Sequence, residues 1–193
     1  MLLKGVDGRA IQGLEGKLKV LASGIHRLHE EGTLGDAVVI STVSVAPTLT
    51  GTAAREPLLV IRNDSNLMDL VVDRISVSAS AAMAFILRRN PVLGALGAQV
   101  AGFARNLNYA NEKSLSDVFV SVWDETAGGI TNITGGQDIA TIFSGVGGNV
   151  EDTKGALILS PGRVLVVDKA AVAGEVSVNV YASLRPAGLF LPA

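Results

Sequence analysis

The chain contains no cysteine. Disulfide scaffolds, zinc fingers, iron–sulfur sites and thiol catalysis are therefore excluded at once. Histidine is nearly as scarce: His26 and His29 are the only two, which leaves little for an imidazole base or a histidine-rich metal site. Charged residues form 18% of the 193 residues and aromatic residues 4%, the former below the roughly 25% usual in soluble domains. Neither sign dominates. Lys+Arg 16 against Asp+Glu 18 leave a net charge of −2, with no electrostatic footprint for nucleic acid or an anionic membrane. No apolar run reaches the ~20 residues of a membrane-spanning helix; the longest charge-free stretches are 37–54, with six hydroxyl residues and Pro47, and 90–104. The opening residues 1–9 carry no apolar core of a secretory signal. The expectation is a protein with no catalytic, cofactor or metal residues, and neither nucleic acid nor membrane as partner.

What is abundant is apolar surface. Hydrophobic residues reach 48%, glycine numbers 22, and the mean hydropathy is +0.42. With little charge and no membrane span, the natural outlet for that surplus is contact between subunits. The first 33 residues read as a helical arm. Ile11, Leu14, Leu18, Leu21, Ile25 and Leu28 are spaced 3, 4, 3, 4, 3. This is a heptad register with Ile11, Leu18 and Ile25 at a and Leu14, Leu21 and Leu28 at d. The spacing predicts a helix over 9–31, stopped by Gly32. Gly13, Gly16 and Gly24 each cost it about 1 kcal/mol relative to alanine, so it needs a partner surface. The six stripe residues are candidate oligomer-interface positions; the same stripe also fits a helix lying on its own domain.

From residue 34 to 193 the pattern is that of strands. Ala37–Val45 is β-branched and apolar on both faces, as for a strand covered on both sides. Leu58–Arg62, Leu70–Ser78, Ala84–Arg88, Val118–Trp123, Ile139–Phe143, Leu157–Leu159 and Val164–Val167 follow, punctuated by Asn63-Asp64-Ser65-Asn66, Gly128-Gly129 and Ser160-Pro161-Gly162. Val176, Val178, Val180, Ala182 and Leu184 alternate with Glu175, Ser177, Asn179, Tyr181 and Ser183, the signature of an antiparallel strand with one face nearer solvent. Eight to ten short strands with Gly/Pro/Asn turns and no helix between them predict a mainly-β jelly roll or β-sandwich behind an N-terminal helix or arm.

Few motifs carry chemistry. His26 and His29 fall at b and e of the heptads, on a solvated face. Gly145-Val146-Gly147-Gly148-Asn149 lacks the spacing of a phosphate-binding loop and reads as a plain loop. Asp69 and Asp73 could share one face of a strand, without a recognisable partner set. Asn63-Asp64-Ser65 and Asn132-Ile133-Thr134 match the glycosylation acceptor pattern by chance. Two apolar segments need cover: the Gly-rich stretch 91–104, and the tail Leu189-Phe190-Leu191, a candidate partner contact.

The helical arm, the uncharged β-rich body, the absence of cysteine and the apolar tail together resemble small phage virion proteins of jelly-roll type, in particular head decoration (cement) proteins. Leu59-Val60-Ile61-Arg62-Asn63-Asp64-Ser65 and Leu159-Ser160-Pro161-Gly162-Arg163-Val164-Leu165-Val166-Val167 are similar to strand–turn–strand segments of such proteins. The resemblance implies homotrimers seated on a capsid lattice against the major capsid protein or other virion subunits. It places the chain in the virion after assembly in the host cytoplasm. No functional residue carries over. Two alternatives stay open: a tail fibre or adhesin domain binding a receptor or glycan, and a cupin-like ligand binder or enzyme, its carbohydrate site built from Asp, Asn and Trp123.

Overall fold

The computed structural model describes residues 37–42, 55–94, 104–106, 120–124, 133–170 and 174–187. These residues hold ten strands: β1 (Ala37–Ser41), β2 (Arg55–Asn63), β3 (Met68–Ala79), β4 (Met83–Arg89), β5 (Ala104–Asn106), β6 (Val120–Asp124), β7 (Gln137–Ser144), β8 (Asn149–Leu159), β9 (Val164–Ala170) and β10 (Val176–Pro186). They form two antiparallel five-stranded sheets, ordered β5-β1-β10-β3-β8 and β6-β2-β9-β4-β7. The arm 1–33, with its heptad stripe and both histidines, and the tail Leu189–Leu191 lie outside the described residues.

The pairing has a simple logic. β1 pairs with β10, β2 with β9, β3 with β8 and β4 with β7, each antiparallel. The chain is thus one long hairpin of four rungs, and rolling it brings β10 beside β3 and β4 beside β9. Rungs then fall alternately into the two sheets, which is the jelly-roll form of the β-sandwich. β5 and β6 come from the long segment between β4 and β7 and extend the sheets at β1 and β2.

Alternation places the core. Val38 and Ile40 of β1, Leu70, Val72, Ile75 and Val77 of β3, and Val176, Val178, Val180 and Ala182 of β10 face Leu59 and Ile61 of β2, Phe85 and Leu87 of β4, and Leu165 and Val167 of β9. All are essentially withdrawn from water. Each such Val, Leu, Ile or Phe side chain contributes about 1.5–3 kcal/mol relative to exposure. β9 reads as an unbroken apolar run because its other face is covered too. There Val60, Val164 and Val166 form a second, smaller cluster with Leu93 and Ile133, which stand at the two ends of the β4–β7 segment.

The segments 59–65 and 159–167 meet at one end of the sandwich. Asn63, fully buried at the end of β2, donates from Nδ2 to the carbonyls of Met68 (2.8 Å) and Leu159 (2.7 Å) and accepts from the amide of Ser65 (3.0 Å). Its backbone accepts from Gly162 (2.7 Å) and donates to Arg163 (3.0 Å). One side chain therefore ties the β2–β3 corner to the β8–β9 corner. This also disposes of the first glycosylation match: the Asn63 amide nitrogen is buried and both its hydrogens are spent.

Candidate functional site

The charged residues that the sequence pattern leaves scattered converge on the second sheet. β9 carries Asp168 and Lys169 in succession, so alternation sends them to opposite faces. Asp168 shares the outer face with Val164 and Val166 and sits between β2 and β4, opposite Pro57 and Ile86. Arg88 of β4 reaches it there, Nη2 to Oδ1 at 2.6 Å, with side chains 9% and 0% exposed. The same guanidinium donates from Nη1 to the carbonyls of Gly135 (3.2 Å) and Ile133 (3.4 Å). It therefore fastens the returning end of the β4–β7 segment to the sheet. On the inner face, Lys169 is fully buried and lies 3.3 Å from Glu56 of β2, its register partner.

A third pair lies over the first. Arg55 of β2 donates through both Nη atoms to the two carboxylate oxygens of Asp138 on β7, at 2.7 and 2.6 Å. The hydrogen bond from Arg55 holds the Asp138 carboxyl below its ordinary range, and raises Arg55 in turn. Asp168 behaves oppositely. Burial pushes its carboxyl above the ordinary range, against the lowering pull of the hydrogen bond and charge of Arg88. Six charges over four adjacent strands thus resolve into three pairs, one exposed and two buried, cross-tying the sheet.

Asp69 and Asp73 of β3 are both buried on the outer face of the first sheet, flanking Val71. Asp69 stands opposite Arg185, and Asp73 falls at a register shift and takes a long hydrogen bond from Ser183 Oγ (3.4 Å). The shared face is as expected. Among the described residues no group of three or more His, Cys, Asp or Glu side chains is arranged to hold a metal ion. Trp123 lies on β6, the edge strand beside β2, opposite Val60.

The unpolarised part of the surface is more telling. β7 is the last strand of its sheet, paired only with β4 among the described strands. Its outward residues Ile139, Thr141 and Phe143 are exposed, Phe143 to 71%, and Val146 in the following turn to 80%. Gly145–Gly148 is that turn, as its glycines indicate. Leu67 and Val92 are also exposed, at the corners after β2 and β4. From sequence this strand is merely weak. That it forms an edge is decided by strand order, a non-local property that no local pattern records. Comparison of the chain with protein-family models, with curated proteins and with solved structures gives no match.

Proposed function

We propose that this chain is a structural virion protein of the decoration type, which self-associates and stabilises a capsid by seating on its lattice. The observation that supports this most is the apolar row on an edge strand: Ile139, Phe143 and Val146 are exposed beside a sheet edge that no described strand pairs. Native proteins ordinarily blunt such an edge with charge or proline. β7 carries only Asp138 as a charge, and Arg55 holds it. The paired charges of β2, β4, β7 and β9 fit the same role, because they brace a scaffold.

In this reading the heptad stripe Ile11, Leu14, Leu18, Leu21, Ile25 and Leu28 joins the subunits, the homotrimer being what the resemblance adds, and Leu189, Phe190 and Leu191 meet the partner lattice. The test is the mass of the full chain in solution at two protein concentrations, for the parent and for Leu18→Asp/Leu21→Asp. A parent oligomer that the double substitution dissociates with the β domain still folded is the expected result. A parent that stays monomeric at both concentrations removes the proposal.

A further inference from the structure

We propose that β7 pairs antiparallel with β7 of a second copy of this chain across a two-fold axis centred on Thr141. The inference rests on the assembly reading above and names one of its contacts.

The edge itself specifies a strand as occupant, since a strand edge that no described strand pairs presents a row of backbone donors and acceptors; on β7 the Phe143 carbonyl accepts from Asn149 Nδ2 at 2.7 Å. The side chains specify which strand. A two-fold axis perpendicular to the sheet keeps outer faces with outer faces and inner with inner. With Thr141 on the axis, Ile139 stands opposite Phe143 of the copy, Thr141 opposite Thr141, and Ala140 opposite Ile142. The outer row is thus an aromatic against a β-branched residue, a threonine pair, and the same aromatic pair again, combinations favoured across antiparallel strands. Inside, Ala140 and Ile142 already pack on the core, so their pairing continues it from one copy to the next.

Charge permits the approach. Asp138, which lies beyond the register shift at Ile139, is held by Arg55 of its own chain at 2.6 Å. No like charges are brought together. The register shift of the β4–β7 ladder falls at Ile139, between Ala140 and Asp138; Ala140–Phe143 is regular, and Ile139 meets Phe143 of the copy at the shift itself. A two-fold contact links copies in pairs; if the arm builds trimers, this contact joins one trimer to the next.

The absence of cysteine makes the test clean. Thr141→Cys places two thiols on the axis, with Cα atoms about 4.5–5.5 Å apart, inside the range a disulfide spans. Under mild oxidation the variant is expected to form covalent dimers at least tenfold faster than Ser160→Cys, an exposed position in the β8–β9 turn. Ile139→Cys and Phe143→Cys lie about 13 Å from their own copies across the axis. Each alone is expected to cross-link poorly, and the mixture to yield the mixed dimer. The exposed pair Ile139→Lys/Phe143→Lys is expected to weaken association at least tenfold at unchanged melting temperature.

Cross-linking through residue 141 no faster than through 160, or no preference for the mixed 139–143 dimer, overturns the pairing. If the parent is nonetheless an oligomer by mass, the assembly reading stands and only this contact falls. If the parent is monomeric at every concentration, both fall.

Discussion

The Arg88–Asp168 pair offers the sharpest perturbation of the fold. Both groups are charged, nearly sealed from water and 2.6 Å apart, so each is tolerated because the other is there. Asp168→Leu leaves the guanidinium over an apolar face with only the carbonyls of Ile133 and Gly135 to meet it. Removing one partner of a buried pair costs about 3–5 kcal/mol, and that loss is expected here. Arg88→Met is expected to cost a similar amount near neutral pH and to free the two carbonyls as well. Combined as Arg88→Met/Asp168→Leu, no charge is stranded. What remains lost is the two hydrogen bonds to the segment's returning end, about 0.5–1.5 kcal/mol each.

The double variant is therefore expected to lie about 1–3 kcal/mol below the parent, far less than the roughly 6–10 kcal/mol that adding the single losses gives. Chemical denaturation of the four proteins reads this directly, provided the slope with denaturant is common to all. Arg88→Met has a second signature. Its stranded carboxylate can take up a proton, so its deficit is expected to shrink as the pH falls toward the ordinary carboxylate value of 3.8; that of Asp168→Leu is not. Additive single losses, or a pH-independent Arg88→Met, refute the premise that the two charges compensate each other.

Three further outcomes follow from named atoms. Asp138 and Asp168 are expected to act on acid stability with opposite sign: the depressed Asp138 contributes stability above 3.8 that is lost as pH falls through its folded value, whereas the raised Asp168 favours the fold below 3.8 and loses that contribution as pH rises. Denaturation between pH 3 and 7 of Asp138→Asn checks the first part; the exposed pair is worth at most about 1 kcal/mol. Asn63→Ala is expected to lose about 3–5 kcal/mol by denaturation, because three hydrogen bonds go and the carbonyls of Met68 and Leu159 stay near the core without donors. Gly136→Ala, whose Cβ would come within 2.9 Å of the Arg89 carbonyl and 3.0 Å of Pro91 Cα at φ +85°, is expected to cost at least twice what Gly162→Ala costs, where φ is +74° and no atom lies within 4 Å of the new methyl group. The second loss is the left-handed backbone alone, about 1–2 kcal/mol, and equal losses in a thermal melt count against the close approach.

The parts of the fold legible in the sequence are those where one strand's own alternation meets the core. β10 is the best case, its valines inward and Ser177, Asn179 and Tyr181 half-buried outside. β3 and β4 are found nearly to the residue. β8 shows only as Leu157–Leu159, because its first half carries Glu151, Asp152, Lys154 and a Gly155 at φ +72°. An edge strand with a register shift needs no apolar repeat. β9 is read too short for a different reason. Asp168 and Lys169 look like the end of an apolar run until Arg88 and Glu56, 80 and 113 residues earlier in the chain, neutralise them. β5, three residues long, sits at the end of a stretch read as loop and has no pattern to show.

The same distinction governs function. A catalytic site announces itself locally when its chemistry needs particular residue types at fixed spacing, as a metal or phosphate loop does. An assembly surface has no such grammar, since it is whatever apolar row the topology leaves on an edge. Ile139-Ala140-Thr141-Ile142-Phe143 is an unremarkable strand on paper. It acquires meaning because the rolled hairpin ends its second sheet there, because β4 covers one edge and no described strand covers the other, and because Arg55 removes the one charge that would keep a partner away. The order of strands, more than any residue, turns a weak strand into the exposed apolar edge on which the proposed pairing rests.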